Sequence, residues 1–156
     1  MKAASISQLQ KELKELEPQE VLELCMRLTK YKKENKELLS YLIFEAHDEK
    51  MYIKGIKEEI DIMFQEMNRS TTYLIKKSLR KILRFTNKFI KYSGSKQTEV
   101  ELKLYFCGKI KESSIRIDSS TMLSNLYNRE IEKIKSTIEK LHEDLQYDYK
   151  EELDSL

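Results

Sequence analysis

Apolar positions along this chain recur at helical spacing almost from end to end. Ser5 followed by Gln8 has the spacing of a capping box, and it opens a predicted helix that runs to about Leu16. Pro18 fits the first turn of a second helix, where its missing N–H costs nothing. Leu22, Met26 or Cys25, and Thr29 carry that helix on to about Lys33. The charged stretch KYKKENKE reads as a turn and the start of a third helix bearing Leu38, Leu39, Leu42, Ile43 and Ala46. At HDEK, residues 47–50, Asp48 is an N-cap candidate and a break is expected. One long helix is the alternative, because the series Leu42, Ala46, Ile53, Ile56, Ile60, Met63, Met67 nearly keeps phase across the break. Residues 68–70 end the next helix, and one of Ser70, Thr71 and Thr72 caps the one after it.

SGSKQ, residues 93–97, is the clearest loop, and Gly94 suits the position just past a helix end. Thr98 and Glu101 form a second capping-box spacing ahead of Val100, Leu102, Leu104, Tyr105, Phe106 and Cys107. GKIKESSIRIDSS reads as a loose connection in which SSIRI is either irregular or briefly extended. From about Ser120 the apolar positions Tyr127, Ile131, Ile134, Ile138, Leu141, Leu145 and Tyr149 step by three and four along a last helix. Such a stripe serves either core packing or a coiled-coil dimer, with Ile131, Ile134, Ile138, Leu141 and Leu145 as the oligomer contacts.

Composition sharpens this picture. With one Pro and three Gly in 156 residues the chain lacks the turn residues of a β fold. Hydrophobic residues make up 40%, enough for a real core in a single domain over 1–156. The expected fold is all-α: six to seven helices as antiparallel hairpins, in a bundle or a short stack. The longest apolar run, Tyr41-Leu42-Ile43-Phe44, is far too short to span a membrane, and MKAASISQLQ has no apolar signal core. Cys25 and Cys107 lie far apart in apolar surroundings, and are expected to be buried reduced thiols of a cytoplasmic protein.

Charge changes the picture most. Residues 67–98 carry nine basic and no acidic side chains, between a first part, 1–66, with 11 basic and 14 acidic, and a last part, 99–156, with 9 basic and 13 acidic. Wound at about 100° per residue, Lys76, Lys77, Arg80, Lys81, Arg84, Lys88 and Lys91 share a face of about 140°. Ile75, Leu79, Ile82, Leu83, Phe89 and Ile90 fill the opposite side. Tyr73 winds into the basic face and Asn87 to its edge. A cationic strip with an aromatic and an amide suits a phosphate backbone and a stacked base, or an acidic protein surface. The bland alternative is a solvated face, or one paired with residues 139–156, which hold seven acids and two lysines.

Chemistry is thinly represented. Glu139-x-x-His142 is half of a bundle di-metal motif, but His47 has Phe44 where the second glutamate belongs. Glu45, His47, Asp48 and Glu49 read better as solvated turn residues than as metal ligands. No Gly-rich phosphate loop and no nucleophile elbow is present. A non-catalytic binding domain without a cofactor is therefore expected. The helix-pair lengths of residues 6–92 resemble HEAT-type helical repeats, and the chain also resembles small all-helical bacterial proteins. That resemblance implies a binding scaffold, some of which act on nucleic acid.

Overall fold

The computed structural model describes residues 1–156, and all of its regular elements are helical. There are eight α-helices, against the six to seven expected: α1 (Ile6–Glu15), α2 (Pro18–Tyr31), α3 (Lys33–Ser40), α4 (Glu49–Gln65), α5 (Thr72–Ser93), α6 (Lys96–Glu112), α7 (Thr121–Ile138) and α8 (Glu143–Asp154). Where the sequence reads as one domain over 1–156, contacts along the chain gather into two compact units, Met1–Phe44 and Glu45–Leu156.

In the first unit local chemistry sets the helix ends. The Ser5 N–H donates to Gln8 Oε1 at 2.9 Å and the Gln8 N–H donates back to Ser5 Oγ at 3.3 Å, closing the capping box. Pro18 occupies the first turn of α2, as read from sequence. Helices α2 and α3 pack together, and Asn35 Nδ2 donates to the Leu28 carbonyl at 2.7 Å across their turn. None of α1, α2 or α3 has a buried residue. Cys25 is accordingly half-exposed, not buried, while Cys107 is fully buried; both thiols are free.

The second unit is organised around α6. Its buried Val100, Leu102, Leu104, Phe106, Cys107 and Ile110 leave no single apolar stripe, which is the pattern of a helix enclosed on all sides. Accordingly α4, α5, α7 and α8 all pack against it. Asp48 caps α4 by accepting from the Met51 N–H at 3.1 Å, so the break at HDEK is real. Thr71 caps α5, and Gly94, with φ +67°, ends it in the left-handed conformation that glycine adopts without strain.

Three sequence expectations are corrected here. The loop after α5 is shorter than residues 93–97, since Ser95 caps α6 by accepting from the Thr98 N–H. Thr98 is thus inside the helix, buried, with its hydroxyl donating to Glu49, and it caps nothing. The connection read over GKIKESSIRIDSS is shorter than expected, since its first five residues complete α6; SSIRI is not extended, and a single 3₁₀ turn, Ile117–Ser119, follows.

The last stripe is the third correction. Tyr127, Ile134 and Ile138 are buried against the bundle, and the chain breaks between Ile138 and Glu143. Gln146 Nε2 donates to the Leu141 carbonyl at 2.9 Å and to that of Glu139 at 3.3 Å, satisfying carbonyls the break releases. His142 caps α8. The three-four stepping survives this turn in phase, so sequence alone reads one helix where there are two. Of the five residues expected as oligomer contacts, Ile134 and Ile138 are buried within the chain, and Ile131, Leu141 and Leu145 are half-exposed.

Candidate anion-binding groove

α5 presents the two-sided character its sequence carries. Leu79, Ile82, Thr86 and Ile90 are buried, and Lys77, Arg80, Lys81, Arg84 and Lys91 are exposed. Lys76 and Lys88 are half-exposed. None of Lys76, Lys77, Arg80, Lys81, Arg84 and Lys91 forms an ion pair. The acids of α8 do not neutralise this face, because α8 packs on α6 and α7. Internal pairing with residues 139–156 is therefore not the arrangement adopted.

The face is not a flat strip. Tyr73, Lys76, Lys77, Arg80, Leu83, Arg84, Asn87 and Met122 line a groove of about 630 Å³. A second hollow of about 280 Å³ shares Lys76, Arg80, Leu83 and Met122 with it and adds Asn125, Leu126, Arg129, Glu130 and Lys133 from α7. Lys76 Nζ lies 2.8 Å from Met122 Sδ, where the two helices meet along this edge. Tyr73 stands at the rim with 68% of its surface exposed.

Five of the eight residues singled out from sequence are thus brought together: Tyr73, Lys76, Lys77, Arg80 and Arg84. Lys81, Lys88 and Lys91 lie on the same helix outside the groove, and Lys88 Nζ sits 4.8 Å from the Phe89 ring centre. The α7 contribution was missed. Met122, Asn125, Leu126, Arg129, Glu130 and Lys133 fall at helical spacing on one face, so the face was legible, but its position beside α5 depends on tertiary packing.

Beneath the groove lies a buried charge cluster. Glu130, 1% exposed, receives Lys133 Nζ at 2.7 Å on one oxygen, while the other has no hydrogen-bond donor and lies 3.9 Å from Lys103 Nζ. Lys103, also buried, holds Glu99 at 2.6 Å. Glu130 shares the core-facing side of α7 with Tyr127 and Ile134, an acid on an apolar stripe that sequence could have flagged. Burial pushes the neighbouring Cys107 thiol up to about 12, the Glu130 charge adds to this, and Lys103 opposes it. So Glu130 consumes the charge of Lys133 and leaves Lys76, Lys77, Arg80, Arg84 and Arg129 as the groove's available cations.

Chemically this arrangement can hold oxyanions. Arg80 and Arg84 offer planar forks suited to phosphate or carboxylate, the lysines offer mobile point charges, and Asn87 offers an amide. The exposed Tyr73 ring offers a stacking face. No helix of the structure is long and apolar enough to cross a membrane. A comparison with protein-family models, with curated proteins and with solved structures returns no match, so the groove's chemistry alone bears on its role.

Proposed function

We propose that the protein is a non-catalytic binding protein that takes a polyanion, the phosphate backbone of a nucleic acid, along the α5–α7 groove. The observation that carries this is the convergence of Lys76, Lys77, Arg80 and Arg84, none in an ion pair, around a groove edged by an exposed tyrosine. A solvated helix face needs neither the groove nor the second helix that adds Arg129. An acidic protein would use the same cations but would leave Tyr73 without a base to stack on. Free thiols at both cysteines fit a reducing compartment, and we assign the activity to the cytoplasm.

The test is fluorescence anisotropy of short labelled DNA and RNA across a salt series. Neutralising four or five phosphates gives a slope of log K against log salt of about −3 to −4.5. Replacing Lys77, Arg80 and Arg84 together by Glu is expected to abolish binding while far-UV helicity is retained. Binding that ignores salt, or that survives the triple reversal, would sink the proposal.

A further inference from the structure

Glu130 carries a buried carboxylate oxygen without a hydrogen-bond donor. The residue is 1% exposed, yet it lines the second hollow, of about 280 Å³, between α5 and α7. One of its oxygens is held by Lys133 Nζ at 2.7 Å. The other stands 3.9 Å from Lys103 Nζ, beyond hydrogen-bond reach, and that ammonium already donates to Glu99 at 2.6 Å. A buried carboxylate oxygen left without a donor is costly. Beside an open hollow, it marks a place for a donor that comes from outside the chain.

The surroundings say what kind of donor. A metal ion would find one carboxylate and no second acid in the hollow, and it would sit among Lys76, Arg80, Arg129 and Lys133. Four cations repel a fifth, and an ammonium group meets the same repulsion. An uncharged N–H is what remains. Leu83 and Leu126, both half-exposed, and Met122 give the hollow apolar walls that suit the faces of a flat ring. Lys76, Arg80 and Arg129 can only donate, so the rest of the ring's edge has to accept.

Cytosine has such an edge, with the N4 amine beside the acceptors N3 and O2. Uracil presents O4 where the amine belongs, which sets two oxygens against each other. Guanine places two donors side by side before a single oxygen, and adenine offers one acceptor fewer on a larger ring. The two hollows share Lys76, Arg80, Leu83 and Met122, so a strand whose phosphates lie on Arg80 and Arg84 runs alongside the second hollow.

We infer that Glu130 reads cytosine: an unpaired cytosine of a single strand enters the second hollow and donates its N4 amine to the free Glu130 oxygen. This rests on the polyanion reading of the groove and adds base selectivity to it. In a duplex the base is held in the stack, so the preference belongs to single strands.

Anisotropy titration of the full chain with labelled single-stranded oligo-dC and oligo-dU of equal length tests it, since the two differ only along the amine edge of the ring. At one salt concentration the parent is expected to bind oligo-dC about tenfold more tightly, with the same salt slope for both. In Glu130→Gln the carbonyl oxygen goes to Lys133, which turns the amide N–H groups towards the hollow. That variant is expected to lose the preference while binding oligo-dU no more weakly than the parent. A second arm leaves the protein untouched: an oligomer of the pyrimidinone analogue, with hydrogen in place of the amine, is expected to bind the parent as oligo-dU does. Equal affinity for oligo-dC and oligo-dU with a steep salt slope would overturn this inference and leave the polyanion reading standing. Binding of neither would overturn both. An analogue that binds like oligo-dC, or a preference that survives in Glu130→Gln, would show that Glu130 does not read the amine.

Discussion

α1, α2 and α3 bury no side chain, whereas the helices of residues 45–156 enclose a core around α6, although both stretches are rich in Leu, Lys and Glu. The difference lies in arrangement. α1, α2 and α3 are 10, 14 and 8 residues long, lengths at which a helix is marginal on its own in water. Each has an apolar stripe but no neighbour apolar all round. α6, with buried Leu102, Lys103 and Leu104 in succession, is enclosed on several sides and so lets four other helices pack against it at once. In the second stretch α6 is the shared neighbour against which those stripes are buried.

The largest test of this contrast is Phe106→Ala. Phe106 is fully buried and its ring lies 6.0 Å from that of Phe64, so truncation should cost about 3–5 kcal/mol in urea unfolding followed by tyrosine near-UV signals. Leu13→Ala, on an exposed stripe, should change the same transition by less than about 0.5 kcal/mol. Equal losses at the two positions would mean that the two units share one core.

Next in size is Glu130→Ala. It strips Lys103 of one of its two acids and leaves that ammonium buried against Glu99 alone. A loss on the order of 3 kcal/mol is expected in the same unfolding experiment. Glu130→Gln, which keeps the shape and one acceptor, should cost less. If both variants are as stable as the parent, the buried cluster is not a constraint on the core.

How far this was readable beforehand depends on the range of the interaction. Ser5, Pro18, Asp48 and Gly94 act within one turn of themselves, and sequence marks them, while it narrows the cap of α5 to three neighbours of which Thr71 is the one used. So does the two-sidedness of α5, a property of one helix. Thr98 misled because its spacing to Glu101 mimics a cap, while the actual cap, Ser95, is fixed by the turn that Gly94 makes one residue earlier. The break between α7 and α8 was hidden because its repair comes from Gln146, a side chain several residues on. Half of the groove was legible for the same reason: Tyr73, Lys76, Lys77, Arg80 and Arg84 share a helix, whereas Arg129 and Lys133 reach it only through packing around α6.

Alkaline pH supplies a smaller test, confined to the second unit. Burial first, and then the hydrogen bond to Asp61, raises the Tyr105 phenol to about 12 from 10.0. Burial, and then Glu101, does the same for Tyr149, again to about 12. Cys107 is raised from 9.0 to about 12. In each case the fold favours the protonated, neutral form. Their contribution is therefore complete below about pH 9 and is lost as pH climbs from about 9 through 12. The urea midpoint should fall between about pH 8 and about pH 11, and Tyr149→Phe should shallow that fall. A midpoint that holds steady over this window would contradict the burial of these groups.

Ser5→Ala is the smallest change and bears on the first unit alone. It removes the oxygen that accepts the Gln8 N–H, and with it one half of the capping box. Loss of such a cap costs about 0.5–2 kcal/mol of helix stability, and α1 has no buried residue to compensate. Hydrogen exchange of the amides of Ile6–Glu15 should therefore speed up several-fold. Exchange in α6 should stay at the parent's rate, since nothing about Ser5 enters the core that protects Leu102, Phe106 and Ile110. Slowed exchange in α1, or faster exchange in α6, would show that the cap stabilises more than its own helix. In the arrangement described here a helix without a buried face is held by its ends, so its protection tracks a single hydroxyl group.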